Sequence, residues 1–219
     1  MPSGLLTPVI GWSGVSPITT LSFVTSTVSS SSILNISASA SVGDLAVIMN
    51  YCRRSGSGTA PTLVTPTGFS NLTNTSITTD PGHRMACCWK ILEAGEPNSN
   101  VTVMNSTINA SICFIFSGDN PITSVTPSTW LSQSTTGNPS PQDISMSGQA
   151  VPIVGIGVYG TNGNAEFTTA SPAFDAEVES ANGNINAGYK IYNSSPSNHT
   201  VDAGDIQSNA LHSGYLIAA

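Results

Sequence analysis

The sequence predicts an all-β protein built as a sandwich, and three observations carry that reading. The apolar runs are short and rich in Val, Ile, Thr and aromatic residues. Between them stand 20 glycines and 14 prolines. Several runs are apolar at successive positions, which asks for cover on both faces of a sheet. No stretch carries the 3.6-residue periodicity of an amphipathic helix. Leu5–Trp12 opens the series, and Thr20–Thr27 follows with hydroxyl and apolar residues mixed; the polar loop Ser26–Ile33 (STVSSSSI) leads into Ile33–Ala40. Asp44–Arg53 (DLAVIMNYCR) is apolar until Arg53 and Arg54 end it, and a Gly/Ser-rich gap then leads to the turn Pro66-Thr67-Gly68-Phe69. Arg84–Leu92, Asn100–Met104, Ile108–Phe116, Gln149–Tyr159, Ala165–Thr169, Ala187–Tyr192 and Leu211–Ala218 complete the strands, each bounded by Gly, Pro, Asn or Ser.

A chain of 219 residues can bury its own core without disulfide staples. The expected organisation is a single β-sandwich domain over 1–219, with 1–40 forming leading strands and a polar loop packed on the same body. An internal echo supports one body. Laying residues 82–118 on 182–218 matches Lys90 with Lys190, Ile91 with Ile191, Asn98 with Asn198, Val101 with Val201, Asn109 with Asn209 and Ala110 with Ala210, while Trp89 meets Tyr189. Upstream of each copy stand an apolar strand, a Gly-rich turn, and then Pro66-Thr67-Gly68-Phe69 or Pro172-Ala173-Phe174. Two such Greek-key halves predict a single jelly-roll-like β-sandwich of two antiparallel sheets.

Charged residues make up 8% of the chain, so the polar surface is built from Ser, Thr, Asn and Gly. The mean hydropathy is +0.10. Copies with so little charge repel one another weakly, which predicts a homo-oligomer, trimer or dimer, that hides its apolar patches. The net charge of −7 comes from 12 acidic residues against 5 basic ones. Only Arg53 and Arg54 adjoin, too few cations to displace phosphate counterions, so direct nucleic-acid binding is set aside. No charged-then-apolar leader follows Met1 and no apolar stretch approaches a membrane span, which predicts synthesis in a reducing cytoplasm and no membrane partner. Cys52, Cys87, Cys88 and Cys113 lie in or beside apolar runs and read as small buried hydrophobes. Neighbours in a strand point to opposite faces, so Cys87 and Cys88 do not converge on one metal, and no structural disulfide is expected.

The motifs that suggest chemistry have plainer readings. Gly155–Gly160 (GIGVYG) matches the dinucleotide fingerprint, but a turn at Thr161-Asn162-Gly163-Asn164 and a strand follow where the fingerprint needs a helix. Arg53–Pro61 (RRSGSGTAP) lacks the Gly-Lys-Ser/Thr ending of a phosphate loop. His83, His199 and His212 read as turn or surface residues, since no Gly-x-Ser-x-Gly elbow accompanies them. Asp202 with Asp205, and Glu177 with Glu179, are close in sequence without the facing geometry that a glycosidase requires. Asp119 precedes Asn120-Pro121 and suits a turn better than a Ca²⁺ loop. The Asn-x-Ser/Thr triplets at Asn35, Asn71 and Asn105 arise from composition.

Taken in order, GDLAVIMNYCRR, PTGFSNL, MACCWKILEAGEPNSNVTV and INASICFIFSG resemble a recurrent pattern in bacteriophage virion proteins with jelly-roll domains. There a Gly-Asp-Leu strand opener, a Pro-x-Gly-aromatic turn, a Trp/Tyr-Lys strand and a Val-Thr strand follow one another. The resemblance covers about Val42–Gly118, with the fainter second copy reaching the C-terminus. It implies a non-enzymatic virion structural protein without a cofactor or metal. Two roles follow from it: a capsid decoration (cement) protein binding the outside of the shell, with the major capsid protein as partner, or a tail or fibre component acting as a receptor-binding adhesin. The chain has no heptads and no separate anchor, which favours decoration. A carbohydrate-binding module, with a host glycan as partner, is the remaining alternative, because fold does not fix function. On this reading Trp89, Phe69, Phe174, Arg53 and Arg54 are core or interface residues.

Overall fold

The computed structural model describes residues 17–54, 63–77, 82–103, 109–135, 138–161, 165–203 and 209–219. The strand expected at Leu5–Trp12 lies outside them. Among the described residues every strand pairing is antiparallel and no helix occurs. The sandwich expected from the sequence is present, with its strands distributed over four sheets.

The first half of the chain is one long hairpin folded onto itself. Its strands are β1 (Leu21–Ser29), β2 (Ile33–Asn35), β3 (Leu45–Arg53), β4 (Ser70–Ile77), β5 (His83–Ile91), β6 (Asn100–Thr102) and β7 (Asn109–Gly118). Leu21 lies opposite Gly118, Ile33 opposite Thr102, and Leu45 opposite Ile91, so the pairings nest about a tip near Gly68. Gly68 takes the left-handed conformation at φ 81°, which explains the glycine of the Pro-Thr-Gly-Phe turn. Rolling up this hairpin puts β1-β7-β3-β5-β4 in one sheet and β2-β6 in another, the strand order of a jelly roll.

The second half repeats the plan. Its strands are β8 (Val125–Pro127), β9 (Leu131–Thr135), β10 (Gln142–Ile144), β11 (Ile153–Thr161), β12 (Phe167–Ser171), β13 (Ala176–Glu179), β14 (Ile185–Tyr192), β15 (His199–Ala203) and β16 (Asn209–Ala218). Val125 lies opposite Ala218, Gln142 opposite Val201, and Ile153 opposite Tyr192, nested about Pro172. The sheets are β13-β14-β11-β16-β8, with β9 also on β16, and β10-β15-β12. Register is preserved between the halves: Ala46 lies opposite Lys90 and Ile115, and Gly155 lies opposite Lys190 and Tyr215. The echo between 82–118 and 182–218 is therefore the sequence trace of two topologically equivalent halves. Strand β1 corresponds to β8 and β9 together, and the register shift between Phe23 and Thr25 falls where the second half breaks between Pro127 and Leu131.

The two large sheets pack through equivalent faces, as the subunits of a two-fold dimer do. Leu45, Val47, Met49 and Tyr51 from β3 share a central core with Val154, Ile156 and Val158 from β11. Phe23 stacks on Tyr189 with ring centroids 4.7 Å apart, and the Asn193 side chain clamps Leu21 by accepting from its N–H at 2.7 Å and donating to its carbonyl at 3.0 Å. Each large sheet is also covered on its outer face. Leu34, Ile36 and Val103 cover Ala46, Ile48, Cys88 and Cys113 in the first half; Ile144, Met146 and Val201 cover Ile153 and Tyr159 in the second. Strands β3 and β11 are thus buried on both faces, which is why they read as continuous apolar runs. Gly43, Asp44 and Leu45 open β3: Gly43 has φ 90° and an added Cβ would sit 3.1 Å from Pro121, while the Asp44 carboxylate accepts the Ser41 N–H at 2.8 Å.

Candidate functional site

Most of the chemically suggestive residues serve packing. The glycines of GIGVYG make room for neighbouring side chains. An added Cβ at Gly157 would lie 2.8 Å from the Phe174 ring, at Gly160 2.5 Å from the Tyr51 ring, and at Gly155 3.6 Å from Met146. Gly188, on the adjacent strand, lies under the same Phe174 ring. This is a strand flanked by aromatic residues, and the next described element is strand β12, not a helix.

The histidines differ from their expected turn or surface placement: all three are buried and lie in strands. His83 starts β5, opposite Arg53, with its ring 5.7 Å from Tyr51. His212 lies within β16, its Nε2 3.3 Å from the exposed Ser132 hydroxyl. Burial, helped by the charge of His83, holds the His212 pKa down at about 3. Such an imidazole is a weak base, and among the described residues its Nδ1 has no hydrogen-bond partner, so none of them supplies the third member of a triad to this Ser-His contact. His199, on β15, meets the Tyr192 hydroxyl at 3.2 Å and the Phe174 ring at 5.0 Å, and its pKa is pushed down to about 4 by burial first and by Lys190 second. The histidines looked exposed in sequence because polar neighbours surround His199 and His83; register with the central strands is what buries them.

All four cysteines are buried thiols. Cys87 faces the central core and Cys88 the outer one, as neighbours in a strand must. Among the described residues no three His, Cys, Asp or Glu side chains could together hold a metal ion. Trp89 is half-buried against the central core, Phe69 against the first half's outer core, and Phe174 against the second half's. Arg53 is half-buried at the end of β3, and Arg54 is exposed. Lys90 binds Glu96 and Glu93 and lies over Gly68, while Lys190 binds Asp175 beside Phe174. The matched lysines thus hold the hairpin tips of their own halves.

Open grooves lie where the halves differ. The first, of about 290 Å³, lies between Val64–Thr67 and Asn100–Thr102. In the second half the corresponding space is filled by β12 paired with β15. The second groove, of about 270 Å³, is lined by Ser128, Thr129, Leu131, Asp143, Ile144, Ser145 and Tyr215. Its origin is visible in the repeat. The first half closes this place with a hydrogen bond of 2.7 Å from the Thr27 hydroxyl to the Asn35 carbonyl. By register Leu131 stands at the position of Thr27, and Asp143 at that of Asn35. Leu131 has no hydroxyl to make the bridge, while the Asp143 carboxylate accepts from Thr200 at 2.6 Å, as the Asn35 side chain pairs with Asn100 in the first half. Between β8 and β9, Trp130 turns inward over Gly214, whose added Cβ would lie 2.6 Å from the indole. None of Leu131, Asp143 and Tyr215 stood out in sequence. They come from three separate strands, and only the equivalence of Thr27 with Leu131 exposes the change.

The fold defines the class: an all-β protein of two equivalent antiparallel halves, joined face to face in one sandwich. Compared with protein-family models, with curated proteins and with solved structures, the chain matches none.

Proposed function

We propose that the chain is a non-enzymatic structural protein of a bacteriophage particle, acting as a decoration protein on the outside of the shell. One observation carries the reading: the four cysteines and three histidines, side chains well suited to nucleophilic and general-base chemistry, are buried within the β layers. What the surface offers is a weakly charged face of Ser, Thr and Asn, suited to lying against other protein. The resemblance of Val42–Gly118 to virion jelly-roll proteins supplies the particle context. Self-association through uncharged patches belongs to the same reading; Val28 and Ile33, on neighbouring strands, are 46% and 49% exposed.

The test is copy number and position. Quantitative mass spectrometry of purified particles, with immuno-electron microscopy, should find the chain in hundreds of copies spread over the shell. A handful of copies confined to the tail would replace decoration with the adhesin role. Failure to co-purify with particles would overturn the virion reading.

A further inference from the structure

We propose that the groove between β8, β9 and β10 binds a neutral saccharide, with Tyr215 and Leu131 against the C–H face of a sugar ring and Asp143 accepting its hydroxyls. The site is a departure from the repeat rather than a feature of it. Two halves that keep their strand register differ here by an opened bridge, a broken edge strand and an inward-turned tryptophan. Packing alone does not require the opening, since the first half closes the same place with one hydroxyl.

The lining has the mixed character of a sugar ring. Leu131 is 38% exposed, one of few large apolar side chains left on the surface, and Tyr215 is half-buried beside it. Ser128 and Thr129 supply hydroxyls on one wall, and the Asp143 carboxylate stands on the other, steadied by Thr200. Among the described residues no cation lines the groove, and the chain carries a net charge of −7. A phosphate, sulfate or acidic sugar would meet the Asp143 carboxylate with no lining cation to balance it, which argues against an anionic ligand. At about 270 Å³ the groove lies just below the usual range of small-molecule pockets and suits one or two sugar rings. An extended peptide is less well served, because β10 spans only Gln142–Ile144 and leaves little edge for strand addition.

The experiment titrates the full chain with neutral gluco-, manno-, galacto- and N-acetylglucosamine oligosaccharides by calorimetry and by NMR. Sialylated sugars and an extended peptide serve as comparison probes. Binding of a neutral series on the order of 1 mM or tighter is expected. Asp143→Asn and Tyr215→Ala should each weaken it by roughly tenfold or more, whereas Tyr215→Phe should keep it. Leu131→Thr should abolish binding without lowering thermal stability, because it restores the hydroxyl that closes the groove in the first half. The proposal falls if no neutral probe binds, if binding survives Leu131→Thr and Asp143→Asn, or if the acidic sugar or the peptide binds in preference. None of these outcomes depends on the particle reading, which the copy-number measurement tests separately.

Discussion

Lowering the pH from 7 to 5 should destabilise this protein through its buried histidines. His212 is fully buried, and its pKa lies at about 3 against an ordinary value of 6.5; that of His199, also buried, lies at about 4. In the unfolded chain both imidazoles return to the ordinary value. Below that value the unfolded state binds protons that the folded state refuses, so stability is full above pH 6.5 and falls as the pH drops toward the folded pKa values. At pH 5 the linkage amounts to about 2 kcal/mol for His212 and a similar amount for His199, roughly 4 kcal/mol together. That is a large share of the stability of a typical domain. Asp44, whose carboxyl is raised by burial, acts in the opposite sense. Urea unfolding followed by tryptophan fluorescence at pH 7, 6 and 5 measures the loss. His212→Leu should remove about half of the pH dependence, at little cost to Ser132, which is exposed. A free energy of unfolding that is level between pH 7 and 5, or an undiminished slope in His212→Leu, would refute the reasoning.

Trp89→Ala should lower stability by about 2 kcal/mol, below the range for fully buried tryptophans because Trp89 is half-buried against the central core; a wild-type denaturant midpoint would show that its contacts carry no weight. Gly188→Ala places a Cβ 2.3 Å from the Phe174 ring and should lose about 1–3 kcal/mol, with partial recovery in Gly188→Ala/Phe174→Leu, read by thermal melting. Burial pushes the Cys52 thiol up to about 11 and the Cys88 thiol up to about 12, and raises those of Cys87 and Cys113 as well. A thiol reagent at pH 8 should therefore react with none of the four in the native protein and with all four after unfolding; rapid native labelling would contradict the placement of these side chains.

The parts of the fold legible in sequence are those where burial is strongest. Strands β3, β5, β7, β11, β14 and β16 form the middles of the two large sheets, and their apolar runs lie within a few residues of the expected bounds. Strands β4 (SNLTNTSI), β8 (VTP), β9 (LSQST), β10 (QDI), β13 (AEVE) and β15 (HTVDA) escaped notice because they lie at sheet edges or in small outer sheets. There neighbouring strands impose the conformation and the side chains stay polar. Residue by residue the repeat was visible over 82–118 and 182–218, where the spacing is constant, and upstream only as a shared order of parts. Ala46 corresponds to Gly155, a larger displacement than Lys90 to Lys190, so a comparison without gaps loses β3 and β11. The groove was hidden for a further reason: it is defined by a hydrogen bond present in one half and missing from the other, and sequence alone does not show which residues are equivalent.

The two halves also show how a duplicated interior diverges while staying full. In the first half Phe114 on β7 fills the central core beside Ser26 on the edge strand; in the second the corresponding residues are Gly214 and Trp130, so the bulk has moved from the middle strand to the edge. Tyr51 of the first half corresponds to Gly160 of the second, and the Tyr51 ring occupies the space that the Gly160 side chain would need. On the outer faces Ile48 and Cys88 give way to Gly157 and Gly188, and Phe174 enters over both glycines. Interiors tolerate such exchanges because total volume is constrained more tightly than the identity of its owner. Trp130 turns inward between β8 and β9, while Ser128 keeps its place on the sheet edge, donating its N–H to the Tyr215 carbonyl at 2.9 Å and accepting the Tyr215 N–H on its hydroxyl at 2.9 Å. The candidate groove is a separate change: its lost bridge is at Leu131, which is 38% exposed and lies outside the exchanged core.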